Sequence, residues 1–185
     1  FLIGPLQDHN FMIRNTCIPS EDTQAFFVLT GGRNTFINYH ERIRSYVRKG
    51  GQVITSKGIS DTVFQYLFDE SAQGKRSTQG SCNDNIMPVV QWNPQDPVWQ
   101  TFEFTSTNLD QSGCGYPMHD FNGMIRLGGW NAHDVSLGYR DLGYGRVWLV
   151  ESDWYDTGGE MSEVSTLLMA HMVSGGGALP QGAYL

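Results

Sequence analysis

Apolar and polar positions follow two different rhythms between residues 25 and 68. Phe26, Phe27, Val28 and Leu29 form an unbroken apolar run, the pattern of a strand covered on both faces. Gly31 and Gly32 close that run and let the backbone turn tightly. Apolar residues then recur at Phe36, Ile37, Tyr39, Ile43, Tyr46 and Val47, the spacing of one helical face. Asn34 or Thr35 is placed to cap this helix. Arg42, Arg44, Arg48 and Lys49 crowd its far end, where cations suit the helix dipole, and Gly50 suits the left-handed residue that ends a helix. Residues 52–56 predict the next strand. Ser60 or Asp61 then caps a second helix running to Phe68. This strand–helix–strand–helix order predicts an α/β protein with an open, mainly parallel sheet. Such sheets place functional groups just past the carboxyl ends of their strands.

The rest of the chain is less regular. Residues 1–4 and 10–14 are short apolar segments, and the residues between them are too few for a crossover helix between parallel strands. Residues 70–115 hold no sustained period and contain Pro88, Pro94 and Pro97. They predict a loop-rich insertion with short strands at 87–91 and 101–105, and a long loop of this kind tends to be functional. Residues 123–127 return to the sheet. Residues 135–139 and 146–151 flank the sequence LGYG, a hairpin signal. Residues 162–174 predict the last helix, with Val164, Leu167, Leu168 and Met172 on one face.

Two stretches carry a family resemblance. GGQVITSKGISDT, residues 50–62, resembles the class I glutamine amidotransferase-like superfamily, and its ThuA-like branch in particular. There a Gly-Gly follows a helix, a buried strand follows, and a tight turn presents a residue above the sheet. LGYGRVWLVESDWYD, residues 142–156, resembles the family's late strand and the loop after it. The resemblance implies a flavodoxin-like, amidotransferase-like sheet and covers residues 25–70 and 125–174. Amidotransferases of the family place a nucleophilic Cys in the turn, and ThuA-like members often place His. The register puts Lys57 there, flanked by Ser56 and Gly58, while Ser60 and Asp61 match the Thr/Ser-Asp of many ThuA-like sequences. Catalytic members carry a late His and Glu; this chain has Glu151 and Asp153 but no His. Hydrolysis of glutamine is therefore not expected, since no Cys falls at the turn. The family's usual first strand and helix are partly missing, or lie outside this chain.

Length and charge narrow the picture. A chain of 185 residues suits one domain with a sizeable core. With 12 basic and 19 acidic residues the net charge is −7, which argues against general nucleic-acid binding. No apolar stretch approaches the roughly 20 residues of a membrane-spanning helix. The chain opens on Phe1 rather than Met, as a processed end or a piece of a larger protein would. Cys17, Cys82 and Cys114 form no CxxC metal spacing. Cys82 and Cys114 lie in GSCND and SGCGY, where a disulfide in an oxidising compartment would staple the excursion between them; the alternative is three free thiols. Sparse Lys and abundant Trp, Gly and Asn suit an extracellular or cell-surface protein.

The candidate chemistry is gathered at a few positions. Lys57 is either a nucleophile or anion clamp, or a Lys that stands where a module has lost its catalytic group. Glu151, Asp153, Asp156 and Glu160 offer hard oxygen ligands for Ca²⁺ or Mg²⁺; alternatively Asp156 and Glu160 solvate a turn and cap the last helix. Gly31, Gly32 and Lys57 are candidate binding positions at the strand ends. Trp92, Trp99 and Trp154, with Tyr116, Trp130 and Tyr144, are candidates for stacking on carbohydrate or anchoring a protein partner, or for filling the core beneath long loops. The adjacent pairs His119-Asp120 and His133-Asp134 make poor dyads and read as loop residues, while His40 and His171 read as packing or surface residues on helices. The sequence points to a non-catalytic binding or assembly module of a larger protein. The alternatives are a ThuA-like hydrolase or sugar-processing enzyme using Lys57, Asp61 and Glu151 or Asp153, and a structural subunit whose insertion pairs with copies of itself.

Overall fold

In a computed structural model, which describes residues 12, 14–56, 58–71, 81–83, 90–91, 93–101, 113–115, 121–129, 135, 137–151 and 163–175, the expected first unit forms. Strand β1 (Ala25–Val28) ends in a 3₁₀ turn over Thr30–Gly32, which leads directly into helix α1 (Arg33–Arg48). Strand β2 (Gln52–Thr55) and helix α2 (Ser60–Phe68) follow. The helix starts differ from expectation. Gly32 and Ile59 occupy the N-cap positions, and neither contributes a side-chain cap. Asn34 and Thr35 lie inside α1. The Ser60 hydroxyl is instead taken by Thr55 Oγ1 at 2.7 Å, and Asp61 Oδ1 accepts the Thr62 N–H at 2.6 Å. The α1 end matches the pattern better: Lys49 is the C-cap, and Gly50 takes φ +118°, a conformation that favours glycine.

The remaining elements are β3 (Ser81–Asn83), β4 (Val90–Gln91), α3 (Pro97–Thr101), β5 (Gly113–Gly115), β6 (Ile125–Gly129), β7 (Leu137–Leu142), β8 (Gly145–Val150) and α4 (Glu163–Val173). Six strands form one sheet in the order β1-β2-β8-β7-β6-β4, and β3 pairs with β5 in a separate two-stranded sheet. The sheet is mixed. β1, β2 and β8 run parallel, whereas β8–β7, β7–β6 and β6–β4 are antiparallel. β1, β2, β8 and β6 therefore share one direction, opposite to β7 and β4.

Strand alternation sorts side chains into two cores. Val53, Val147 and Leu149 face α1 and α2, packing with Phe36, Ile43, Val47, Val63 and Phe64. Ile54, Trp148 and Val150 face the other side, packing with Val98, Trp99, Leu168, Met169 and Met172 from α3 and α4. Each such aliphatic side chain contributes about 1.5–3 kcal/mol on burial. The result is a three-layer α/β domain. Among the described residues, no helix is long and apolar enough to cross a membrane.

The insertion contradicts one expectation. Thr101 closes helix α3 rather than opening a strand; the following residues lie outside those described. The local reason is the Asp96-Pro97 pair. Asp96 Oδ1 accepts the Val98 N–H at 2.9 Å, and Pro97 stands at the first helical position, where its missing N–H costs nothing. α3 docks on its own sheet. Asp96 Oδ2 accepts the Tyr139 hydroxyl at 3.0 Å, and the Trp99 indole N–H donates to the Leu127 carbonyl at 3.1 Å. Trp99 is 4% exposed, so it is a core residue and not the surface anchor expected from its loop-like sequence.

The β7–β8 hairpin forms as expected around LGYG, and its tip locks against the end of α1. The Tyr144 N–H donates to the Arg48 carbonyl at 3.1 Å, and the Arg146 N–H to the Gly51 carbonyl at 3.2 Å. A Cβ at Gly145 would lie 2.2 Å from the carbonyl oxygens of both Gly51 and Val47. Only glycine permits that approach. Tyr144 is 91% exposed beside it.

Candidate functional site

The carboxyl ends of β2 and β8 lie side by side, as their parallel pairing requires. Past them stand Thr55, Ser56 and Glu151, all buried. Thr55 closes β2 and Ser56 follows it, both short polar residues; Glu151 directly follows the last residue of β8. Where the backbone ladder stops, the Thr55 hydroxyl continues it by accepting the Val150 N–H at 3.0 Å. Ile59 N–H returns to the Ser56 carbonyl at 3.2 Å, closing the turn, in which Gly58 adopts φ +74°. Glu151 is 0% exposed, and its Oε2 accepts the Gly58 N–H at 3.1 Å. A buried carboxyl group thus grips the turn through its backbone N–H.

Arg33 grips the same turn from the other side. Its Nη2 donates to the Gly58 carbonyl at 2.6 Å, its Nη1 bonds the Thr62 hydroxyl, and the guanidinium stands 3.5 Å from Asp61 Oδ1. Glu151, Gly58, Arg33 and Asp61 therefore form one continuous network across three elements. Sequence reasoning singled out Glu151 and Asp61 but missed Arg33, Thr55 and Thr62. A signal for Arg33 was available. A cation in the first turn opposes the helix dipole, and α1 carries no acidic residue there. Such an Arg implies a partner beyond its own helix.

The other expected site residues divide sharply. Gly31 and Gly32 sit in the 3₁₀ turn at the end of β1, and a Cβ added to either would meet nothing within 4 Å. They border open space, and packing does not demand them. Lys57, Trp92, Asp153, Trp154, Asp156 and Glu160 lie outside the described residues, as do His119 and His133. Among the described residues, no group of three or more His, Cys, Asp or Glu is arranged to hold a metal ion. His40 and His171 lie on helices α1 and α4. His40 packs on Tyr66 with ring centroids 4.9 Å apart, within α1 and α2. His171 is buried on α4 edge-on to Trp148, and burial pushes its imidazole below the ordinary histidine range, with the positive charge of Arg146 adding to the effect. Cys17 is exposed and free.

A groove of about 550 Å³ opens at the opposite, amino end of the parallel strands. Thr23, Arg42, Tyr46, Lys49, Gln52 and Ser174 are among the residues lining it. Gln52 is buried at its base, where its Oε1 accepts the Trp148 indole N–H at 3.2 Å. The Tyr46 hydroxyl meets the Gln52 backbone, accepting its N–H at 3.1 Å. Burial raises the Tyr46 hydroxyl to about 12, so it stays protonated.

No family profile matches the chain. No curated protein matches it either. Solved structures do. The chain is similar to the cytoplasmic protein STM3548 from Salmonella typhimurium, at 13% identity and a TM-score of 0.59, over 93% of this chain and 84% of that one. A β-galactosidase from Rahnella sp. R3 matches at 12% identity and a TM-score of 0.48, over 84% of this chain and 23% of that one. An exo-β-1,4-mannosidase from Opitutaceae bacterium strain TAV5 matches at 13% identity and a TM-score of 0.37, over 85% of this chain and 24% of that one. At such identity the first likeness is one of fold, and it agrees with the α/β architecture.

Proposed function

We propose that this chain is a non-catalytic binding or assembly module of a larger extracellular or surface protein, built on a flavodoxin-like, amidotransferase-like scaffold. The observation that carries this reading is the state of Glu151. In the resembling family the late strand delivers a carboxylate to the active-site edge. Here the Glu151 carboxylate is fully buried and bonded to the Gly58 N–H at 3.1 Å. It holds a turn in place. Thr55 and Ser60 are likewise engaged with each other at 2.7 Å. A group committed to structural hydrogen bonds is poorly placed to move protons for a substrate. The scaffold then serves to present surfaces to a protein partner, to copies of itself or to carbohydrate, and needs no cofactor.

A ThuA-like hydrolase or sugar-processing enzyme is the second reading. One observation favours it: Arg33, Asp61 and Glu151 converge on the turn that bears position 57. The two readings separate in one experiment. The purified chain is offered chromogenic esters, amides and glycosides, as well as glutamine, and its mass is followed by sedimentation over a wide concentration range. The module reading expects no turnover, and a mass that rises with concentration or on adding a partner. Turnover abolished by Lys57→Ala or Asp61→Ala, with the fold intact by circular dichroism, would replace it with the hydrolase.

A further inference from the structure

The two-stranded sheet formed by β3 and β5 has no obvious reason to exist. It is antiparallel, three residues long on each strand, and separate from the main sheet. A two-stranded ladder is marginal in water even when longer. Its cross-strand pairs are Ser81 with Gly115, Cys82 with Cys114, and Asn83 with Gly113. Glycine and asparagine are poor strand residues, and two of these three pairs offer no side chain on one strand to meet the other. Cross-strand side-chain pairs are what stabilise such a ladder. Only the Cys82 and Cys114 pair remains to do so.

From this register we infer that Cys82 and Cys114 are joined in a disulfide that staples β3 to β5. Directly opposed residues of an antiparallel pair share a face of the ladder, with Cα atoms about 4.5–5.5 Å apart. That lies within the range of about 4.4–6.8 Å that a disulfide spans. A separate motive is that both cysteines lie in Gly-rich segments that bound one long excursion. Cys17, exposed and free, is left over. Formation needs an oxidant, which a low-molecular-weight disulfide such as oxidised glutathione supplies. One cysteine thiolate attacks that disulfide, forming a mixed disulfide and releasing one glutathione thiolate. The second cysteine thiolate then attacks the mixed disulfide at the protein sulfur and releases the other. Two protein thiols are oxidised and one glutathione disulfide is reduced; the two protons lost by the protein thiols are taken up by the two released glutathione thiolates. A bond of this kind persists in an oxidising compartment, so it bears on where the protein works, independently of whether the module reading holds.

Peptide mapping tests the inference directly. No Lys or Arg lies between Arg76 and Arg126, so trypsin releases both cysteines in the single peptide 77–126. Glu103 is the only Glu in that peptide, so a Glu-specific protease divides it between them. Full-length protein is equilibrated with reduced and oxidised glutathione, blocked with iodoacetamide and digested without reductant. The expected peptide 77–126 carries no alkyl group and is about 2 Da lighter than its reduced form, the two hydrogens lost on oxidation. Its halves stay joined after cleavage at Glu103 and separate on reduction, while Cys17 is alkylated. Alkylation of both Cys82 and Cys114, or a linked peptide containing Cys17, would overturn the inference. In Cys82→Ser, Cys114 should carry either the alkyl group or a glutathione adduct; a Cys114 linked to Cys17 in that variant and in the parent would point to another partner and overturn it as well.

Discussion

The two ends of the parallel strands are built on opposite plans. At the amino end, backbone meets backbone: the hairpin tip at Gly143 to Gly145 presses on the last turn of α1, and a groove of about 550 Å³ opens beside it. At the carboxyl end, side chains meet backbone: Glu151 and Arg33 hold Gly58 from two sides, and Thr55 extends the ladder. Open α/β sheets ordinarily keep their reactive groups at the second of these ends. Here Glu151 Oε2, Arg33, Thr55 and Ser60 bond one another or the backbone of the turn, while hydroxyls, amides and cations are among the groups lining the groove at the first. The contrast separates holding a turn from offering a surface, and it can be pushed from either side.

The largest effect is expected at the amino end. Gly145→Ala drives a methyl group to within 2.2 Å of two backbone carbonyl oxygens, and should cost about 3 kcal/mol. A shifted denaturation midpoint measures it; an unchanged midpoint would mean that the hairpin does not sit on α1. The carboxyl end comes next. Glu151→Ala leaves the buried Gly58 N–H without its acceptor and should cost about 2–3 kcal/mol, whereas Glu151→Gln keeps an acceptor and should cost about half as much. Equal losses from the two variants would show that charge, not the hydrogen bond, is what the turn requires.

Acid supplies a third test, aimed at α4 beside the groove. The folded state holds His171 below its ordinary pKa, so the unfolded chain binds the proton more readily. Stability should be intact above the unfolded value of about 6.5 and should decline as pH falls from there toward the lowered folded value. Denaturation midpoints between about pH 7 and 5 follow the loss. His171→Gln should flatten that slope, whatever it does to absolute stability, and a slope that survives would assign the titration elsewhere. The smallest effect concerns Tyr139. Burial, helped by its hydrogen bond to Asp96, raises its hydroxyl to about 12. Asp96→Asn should move it part of the way back toward 10, without moving Tyr46. Tyrosinate absorbance in an alkaline titration reads both, and no difference between variant and parent would mean that burial alone sets the value.

The legible parts of the fold were those with an unbroken local period. Residues 25–68, the hairpin around LGYG and the last helix announced themselves, because a buried strand and a one-faced helix each leave a pattern in consecutive residues. Helix α3 did not. It is a single turn set by Asp96 and Pro97, too short to show a period, and Trp99 looked like a loop residue because what buries it, Leu127 and the sheet, lies far along the chain. The site was half legible for the same reason. Asp61 and Glu151 stand in recognisable motifs, but Arg33 joins them only once α1 packs beside α2 and its preceding turn. The capping residues were misplaced because Ser60 bonds Thr55, and Asp61, already inside the helix, bonds its neighbour Thr62 and faces Arg33.

The pairing of β2 with β8 also governs the order in which this chain can finish folding. β2 ends at Thr55 and its partner begins at Gly145, so during synthesis one side of β2 waits for about half of the 185-residue chain. At typical translation speeds that interval is roughly 5–20 s, long compared with the microseconds in which α1 can form. Throughout it, β2 would present an apolar, unpaired edge carrying Val53 and Ile54, the kind of margin that recruits neighbouring chains. A chain truncated before residue 145 should therefore exchange its β2 amides rapidly and associate where the complete chain does not. Protected β2 amides in that truncated chain would show that the first unit closes without waiting for β8.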